Sequence, residues 1–453
     1  MQTNFTLAQL ADPDAARSEN ILRKCVHCGF CTATCPTFVL LGDERDSPRG
    51  RIYFIKAMLE GGRAPTSSEV RHVDRCLSCL ACMTTCPSGV NYMHLVDHGR
   101  HYIETRYRRS PSDRFLRAVL AWLMPRPALF RWALMLGRLA KPLAGMLPAG
   151  SDPAYSDLGG ASFWRRIRAM LEAVPQHLEG PSAVDQPQTF AAVGLRRKRV
   201  ALMPGCGQQV LAPEVNEATV RLLTRHDVEV VNAKGSGCCG SSVLHLGLKA
   251  DAVALAKRNI EAWLSEADGA GLDAIVVNAS GCGTTVKDYG HLLADDPVWK
   301  QKAEQVAALA KDISECMAEI GLVNVRLLNG GLVNVSGRPL TVAYHSACSM
   351  QHGQKVNEQP KKLLRDAGFV VKEVPEGHLC CGWAGTYQIL QPELSRRLRE
   401  RKAANIESVQ PDVIASGNFG CVGNIAAATA IPIVHTVELL DWATGGPKPR
   451  ALP

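Results

Sequence analysis

Two cysteine runs near the N-terminus constrain this chain more than any other feature. Cys25, Cys28, Cys31 and Cys35 read C-x-x-C-x-x-C-x-x-x-C and are followed by Pro36. Cys76, Cys79, Cys82 and Cys86 repeat the spacing and are followed by Pro87. Three thiols two residues apart let a short loop wrap one iron–sulfur cubane while backbone amides point at its sulfurs. The fourth thiol, on the next turn, reaches across to a second cubane. The spacing therefore predicts one [4Fe–4S] cluster on Cys25, Cys28, Cys31 and Cys86, and another on Cys76, Cys79, Cys82 and Cys35. Zinc is the alternative, but it usually takes two C-x-x-C pairs or mixes in His, and does not need a third Cys three residues on.

This is the run of bacterial two-cluster ferredoxins. His27, His72, His94 and His98 lie near it in sequence. A histidine beside a cluster more often packs or hydrogen-bonds than ligates. The stretch between the motifs, GDERDSPRGRIYFIKAMLEGG, is charged and then helical. Its Arg49 and Arg51 could donate to a cluster or meet an acidic partner surface; the plainer reading is a solvated loop.

The 453 residues suffice for about three domains at roughly 150 residues each. With 46% hydrophobic and 21% charged residues, the chain is globular in composition. The net charge of +8 suits an acidic partner or an anionic membrane surface, but it is dispersed and lacks the aromatic–basic platforms of a nucleic-acid binder. The beginning, MQTNFTLAQLADPDAARSE, has no basic start followed by an apolar run. Seventeen cysteines in such a chain point to metal ligands or redox groups in a reducing, cytoplasmic setting rather than to disulfides. No apolar run reaches the ~18 residues of a spanning helix, so a soluble or peripheral protein is expected.

From 113 to 150 the chain turns helical and apolar. Phe115, Leu116, Val119, Leu120 and Leu123 recur at helical spacing, Pro125 and Pro127 break the pattern, and a second apolar helix begins near Leu129. Arg114, Arg117, Arg126, Arg131, Arg138 and Lys141 interrupt the apolar residues alongside Trp122 and Trp132. Two readings fit: an interfacial amphipathic hairpin, or a helical pair packed on a neighbouring domain or subunit. Residues 151–196 read as a linker with one short helix around 163–173.

The C-terminal half is a repeat. Cys206, Cys238, Cys239 and Cys282 recur as Cys348, Cys380, Cys381 and Cys421, 142 positions on for the first three and 139 for the last. Each copy alternates strand and helix, with strands expected at 200–203, 228–232 and 274–277, then 340–344, 370–374 and 413–415. That alternation indicates parallel α/β units, and the thiols follow the carboxyl ends of strands, where open α/β sheets place their ligands. Gly235, Gly237 and Gly240 also spell GxGxxG, a dinucleotide fingerprint, which needs an acidic residue about 20 positions on at a strand end. Glu261 stands near that distance but inside a helix. The second copy, Gly377-His-Leu-Cys-Cys-Gly382, keeps the thiols and not the glycine pattern. The nucleotide reading fails, and the glycines are expected to let the backbone approach a cluster.

Two ferredoxin motifs, a helical middle and two cysteine-rich CCG domains resemble the iron–sulfur subunits of membrane-linked dehydrogenases and heterodisulfide reductases. The stretches CVHCGFCTATCPTFVLLGDERDSPRGRIYFIKAMLEGG, DRCLSCLACMTTCPSGV and HTVELLD are similar to the iron–sulfur subunits of glycolate oxidase (glycolate dehydrogenase). The expected fold class is α+β and α/β multidomain. A largely helical two-[4Fe–4S] ferredoxin-type domain is expected at 1–110, a helical segment and linker for membrane or subunit docking at 111–196, and tandem α/β CCG domains at 197–335 and 336–453. The fullest CCG motifs end in C-x-x-C; here they end in Cys282-Gly-Thr-Thr285 and Cys421-Val-Gly-Asn424. Each copy thus keeps four thiols, either to hold one further cluster or as structural cysteines. His345 and His352 flank Cys348 as donors around the site or as packing residues, and Cys316 reads as a core thiol.

The resemblance implies an electron-transfer subunit without catalytic residues of its own. Partner subunits would oxidise glycolate or another 2-hydroxy acid with FAD, and a quinone-type membrane acceptor would take the electrons at the inner face of the cytoplasmic membrane. The alternatives are the iron–sulfur subunit of an anaerobic glycerol-3-phosphate dehydrogenase and a heterodisulfide-reductase-like thiol–disulfide enzyme.

Overall fold

A computed structural model describes residues 1–147, 163–325, 333 and 337–453. The expected boundary between 335 and 336, and the first part of the expected linker, lie outside the described residues. Residues 1–147 are helical throughout, with no strand among them. Helix Pro13–Lys24 starts on an Asp12 cap, Pro48–Gly61 on a Ser47 cap, and Ser67–Asp74 on a reciprocal Thr66/Glu69 capping box. Leu22, Ile55, Met58, Val73, Leu95 and Ile103 fill the space between these helices and Tyr92–Arg106, and Cys25, Cys76 and Cys82 lie in the same core.

The middle segment forms helices Pro111–Leu123 and Pro127–Ala140. Arg117, grouped by sequence with the interfacial basic residues, is instead buried and turned inward. With Arg109 it grips Asp74 at 2.9 and 2.7 Å. Burial alone would raise the Asp74 carboxyl; the two guanidiniums outweigh it and hold it down at about 2. Arg131 and Lys141 likewise face the protein, donating to the carbonyls of Glu179 and Val174. The apolar side is what remains uncovered: Trp132, Leu136 and Leu139 are 63%, 65% and 81% exposed. Among the described residues no helix is long and apolar enough to cross a membrane.

Two sheets follow. The first holds β1 (Gln188–Phe190), β2 (Lys198–Leu202), β3 (Val228–Asn232), β4 (Ala274–Val277) and β5 (Ala310–Asp312), in the order β1-β3-β2-β4-β5. The second holds β6 (Thr341–His345), β7 (Val370–Glu373), β8 (Val413–Ser416) and β9 (Ile433–His435), in the order β7-β6-β8-β9. All pairings are parallel except β1 on β3. One expectation changes: residues 188–190, read as linker, add an antiparallel edge strand. β5 lies between helices Lys300–Leu309 and Ile313–Ile320. The two sheets share one apolar core, in which Val200, Leu202 and Leu222 join Val342, Leu363 and Leu440. Cys316, 1% exposed, lies in it as an ordinary core thiol, pushed up to about 11 by burial.

Candidate metal centres

The two N-terminal loops have the same shape, 51 residues apart. His27 and Gly29 in one, Ser78 and Leu80 in the other, take left-handed backbone conformations (φ 57°, 87°, 51° and 63°). Such conformations turn the chain sharply enough to wrap three thiols around one point, and Leu80 adopts one despite its side chain. Two cavities result. The first, with about 440 Å³ of empty space, is lined by Cys25, Cys28, Cys31 and Cys86, with Cys82 at its edge. The second, about 310 Å³, is lined by Cys35, Cys76, Cys79 and Cys82. Each cavity thus gathers three thiols of one loop and the fourth of the other. No carboxylate lines either, and the walls are apolar (Val26, Phe30, Ile52 and Val90; Leu77 and Leu80). An all-sulfur donor set between apolar walls fits an iron–sulfur cluster and disfavours hard cations. Burial pushes the Cys31 thiol up to about 11 and Cys82 well above its ordinary value, so loading with metal must release protons.

Arg51 corrects the solvated-loop reading. It is 1% exposed inside helix Pro48–Gly61, with Nη1 3.7 Å from the Cys35 sulfur. Its Nε donates to the His72 carbonyl at 2.6 Å and its Nη2 to the Thr37 hydroxyl at 2.9 Å. Asp46, fully buried, faces Arg51, Arg75 and His72 at 3.4, 2.8 and 3.0 Å. Burial would raise this carboxyl; the His72 hydrogen bond and the two cations hold it below its ordinary value. Arg49 is more open, donating to the His27 carbonyl and to Glu44. The other histidines have partners of their own: His94 faces Asp288 at 2.8 Å and His98 the Ser18 hydroxyl at 2.7 Å.

In the C-terminal half, three adjacent parallel strands deliver each set of thiols. Cys206 follows β2, Cys238 and Cys239 follow β3, and Cys282 rides on helix Ser280–Lys287 after β4. Cys348, Cys380 with Cys381, and Cys421 stand likewise after β6, β7 and β8. Within each set the sulfurs touch: Cys348 and Cys380 are 3.6 Å apart, and Cys238 accepts from the Cys206 and Cys239 thiols, which holds it well below its ordinary value. Asn259 and Tyr289 fix the first loop by donating to the carbonyls of Cys238 and Cys239 at 2.9 Å, and Asn424 donates to the Cys381 carbonyl at 2.7 Å. The CCG glycines also meet a demand of the local packing. Gly240 and Gly382 sit at φ 89° and 93°, and a Cβ there would stand 3.1 Å from the Ala252 carbonyl oxygen and 2.6 Å from that of Ser395. They let the loop approach a helix backbone.

The structure also joins sites that sequence keeps hundreds of residues apart. Cys79 and Cys380 belong to one apolar cluster with Leu77, Ala81, Tyr387 and Leu394, and Cys348 packs against it. Burial, with the Cys348 thiol beside it, pushes Cys79 well above its ordinary value. The Tyr387 hydroxyl donates to the Arg75 carbonyl, and Thr84 meets His352 at 2.8 Å. The two CCG sites are linked in turn: Ser280 bonds Ser349 at 2.7 Å and Thr284 donates to the Ser349 carbonyl at 2.9 Å. No spacing in the sequence signals these contacts.

Known proteins resemble this chain in sequence. Residues 24–90 match the family described as 4Fe-4S dicluster domain, and residues 200–287 and 342–426 each match the family described as Cysteine-rich domain. The chain is 40% identical to the "Glycolate oxidase iron-sulfur subunit" of Escherichia coli (strain K12), over 98% of this chain and 99% of that one. It is 31% identical to the "Probable glycolate oxidase iron-sulfur subunit" of Bacillus subtilis (strain 168), over 98% and 99% respectively. It is also 28% identical, over 54% of this chain and 99% of the relative, to the "Lactate utilization protein A" of the same strain.

Proposed function

The chain belongs to the family of glycolate oxidase iron–sulfur subunits, and on that premise we propose that it carries electrons from FAD-containing partner subunits, which oxidise glycolate, to a quinone-type acceptor. A bound [4Fe–4S] cluster supplies one-electron exchange across a wide range of potentials. The chain's own residues hold, insulate and tune that chemistry. We assign Cys25, Cys28, Cys31 and Cys86 to one N-terminal cluster and Cys76, Cys79, Cys82 and Cys35 to the other. The observation that carries the reading is the crossed lining of the two cavities, three thiols from one loop and one from the other.

The remaining parts follow from this assignment. Arg51 places a buried cation against Cys35 and partly offsets the negative charge of the thiolates. The shared wall of Cys79, Cys380 and Tyr387 supports the second CCG domain as the next station beyond the N-terminal pair, with Cys348, Cys380, Cys381 and Cys421 as its donors. Cys206, Cys238, Cys239 and Cys282 would serve the first CCG domain. The exposed side of helices Pro111–Leu123 and Pro127–Ala140 is where we place contact with the membrane acceptor, at the inner face of the cytoplasmic membrane.

The test is anaerobic purification of the whole complex, with iron and sulfide analysis, EPR and glycolate-driven reduction of a soluble quinone. About eight irons from the N-terminal pair, reducible by glycolate, are expected. Zinc in place of iron would overturn the reading, and so would reduction by glycerol 3-phosphate but not glycolate.

A further inference from the structure

The two CCG domains carry matching thiols, but the second has a histidine that the first lacks. The residue 142 positions before His345 is Met203, directly after β2, whereas His345 is the last residue of β6. The His345 side chain is 1% exposed, and among the described residues its ring nitrogens meet no oxygen or nitrogen partner; the group beside them is the Cys381 thiol. A thiol is a weak partner for a buried imidazole, which is better satisfied if a metal occupies its nitrogen. One ring nitrogen and the sulfurs of Cys381 and Cys421 all lie within 4.8 Å of one another. Nitrogen and sulfur donors without a carboxylate select zinc or iron–sulfur chemistry over magnesium or calcium.

We propose that His345 is a ligand of the metal centre in the second CCG domain. Together with Cys381 and Cys421 it forms a mixed nitrogen–sulfur set, which Cys348 and Cys380 complete. The first CCG domain, with Met203 at the matching place, remains all-sulfur. This rests on the reading that the CCG thiols hold metal.

The test uses the full chain, purified anaerobically after labelling with ¹⁵N-histidine, and compares wild type with His345→Ala and His345→Cys. Iron and zinc edges are read by X-ray absorption, and iron centres also by pulsed EPR. The wild type should show a histidine nitrogen on zinc or on iron, either edge supporting the proposal. His345→Cys should lose that nitrogen while keeping the metal. His345→Ala should lose up to the whole metal content of one CCG site, with the N-terminal EPR signals intact as proof of folding. A nitrogen signal unchanged in His345→Cys, or absent from the wild type, overturns the proposal. The N-terminal reading falls separately, only if its own EPR signals are missing.

Discussion

The two CCG domains are attached to the helical N-terminal region in opposite ways. The first is strapped on by charge: Arg17 pairs with Asp295 at 2.5 Å, Lys249 with Asp14, and His94 with Asp288, while His94 stacks on His291. The second meets it chiefly across an apolar wall of Leu77, Cys79, Ala81, Cys380 and Tyr387, alongside the Tyr387–Arg75 and Thr84–His352 hydrogen bonds. The open corner of the thiol set differs too. In the first copy Cys282 is half-buried and Cys206 buried, whereas in the second Cys348 is half-buried and Cys421 buried. Duplication fixed the donor count, and the surroundings then gave each copy its neighbour. Polar contacts are replaceable fasteners, while the apolar wall sets two donor sets side by side.

The strongest way to break this comparison is at the wall itself. Cys79→Ala should remove one N-terminal cluster and drop glycolate-linked acceptor reduction to background, read by iron content and steady-state assay. The flavin subunits should still reduce their own FAD. Arg51→Met comes next, because it strips Asp46 of one buried cation beside Cys35. A loss of about 3–5 kcal/mol of unfolding free energy, read by denaturant titration, is expected, and a loss under about 1 kcal/mol would mean that Arg75 and His72 suffice.

Acid should load the first attachment more heavily than the second, where burial lowers His352 beside Thr84. Burial pushes His98 and His291 down to about 4 and His245 down to about 3. Folded values below the unfolded value of about 6.5 mean that the unfolded chain binds protons first as pH falls. The stability these groups contribute is complete above pH 6.5 and is lost progressively towards pH 4, by about 3 kcal/mol for each group. Hydrogen exchange should show residues 241–248 and 289–292 opening before 380–390; the reverse order would contradict the comparison. Smaller still are the CCG glycines. Gly382→Ala and Gly240→Ala should destabilise by roughly 1–3 kcal/mol. Gly382→Ala should be the worse because its Cβ would come closer to backbone.

Much of this was legible from spacing. Crossed thiols follow from two C-x-x-C-x-x-C-x-x-x-C runs, and the central strands at 228–232 and 274–277 stand where alternation put them. The elements missed are three-residue strands. The outer strand β1 is mostly exposed, so it has no buried face to imprint a pattern, while β5 sits inside a stretch whose composition suits helix. Arg51 misled because charge in sequence reads as solvation; its burial depends on Thr37 and His72 arriving from separate segments. The shared wall at Cys79 and Cys380 is tertiary and leaves no local trace.

The shared core of the two sheets has a consequence for how this half of the molecule is inherited. Val200 and Leu222 pack in the same interior as Val342 and Leu440, and Asp441 receives Arg221 at 2.8 Å. A cut between the copies would therefore bare two greasy faces rather than release two modules. The duplication is now a single cooperative body, so insertions, swaps and horizontal exchange should succeed only when both copies travel together.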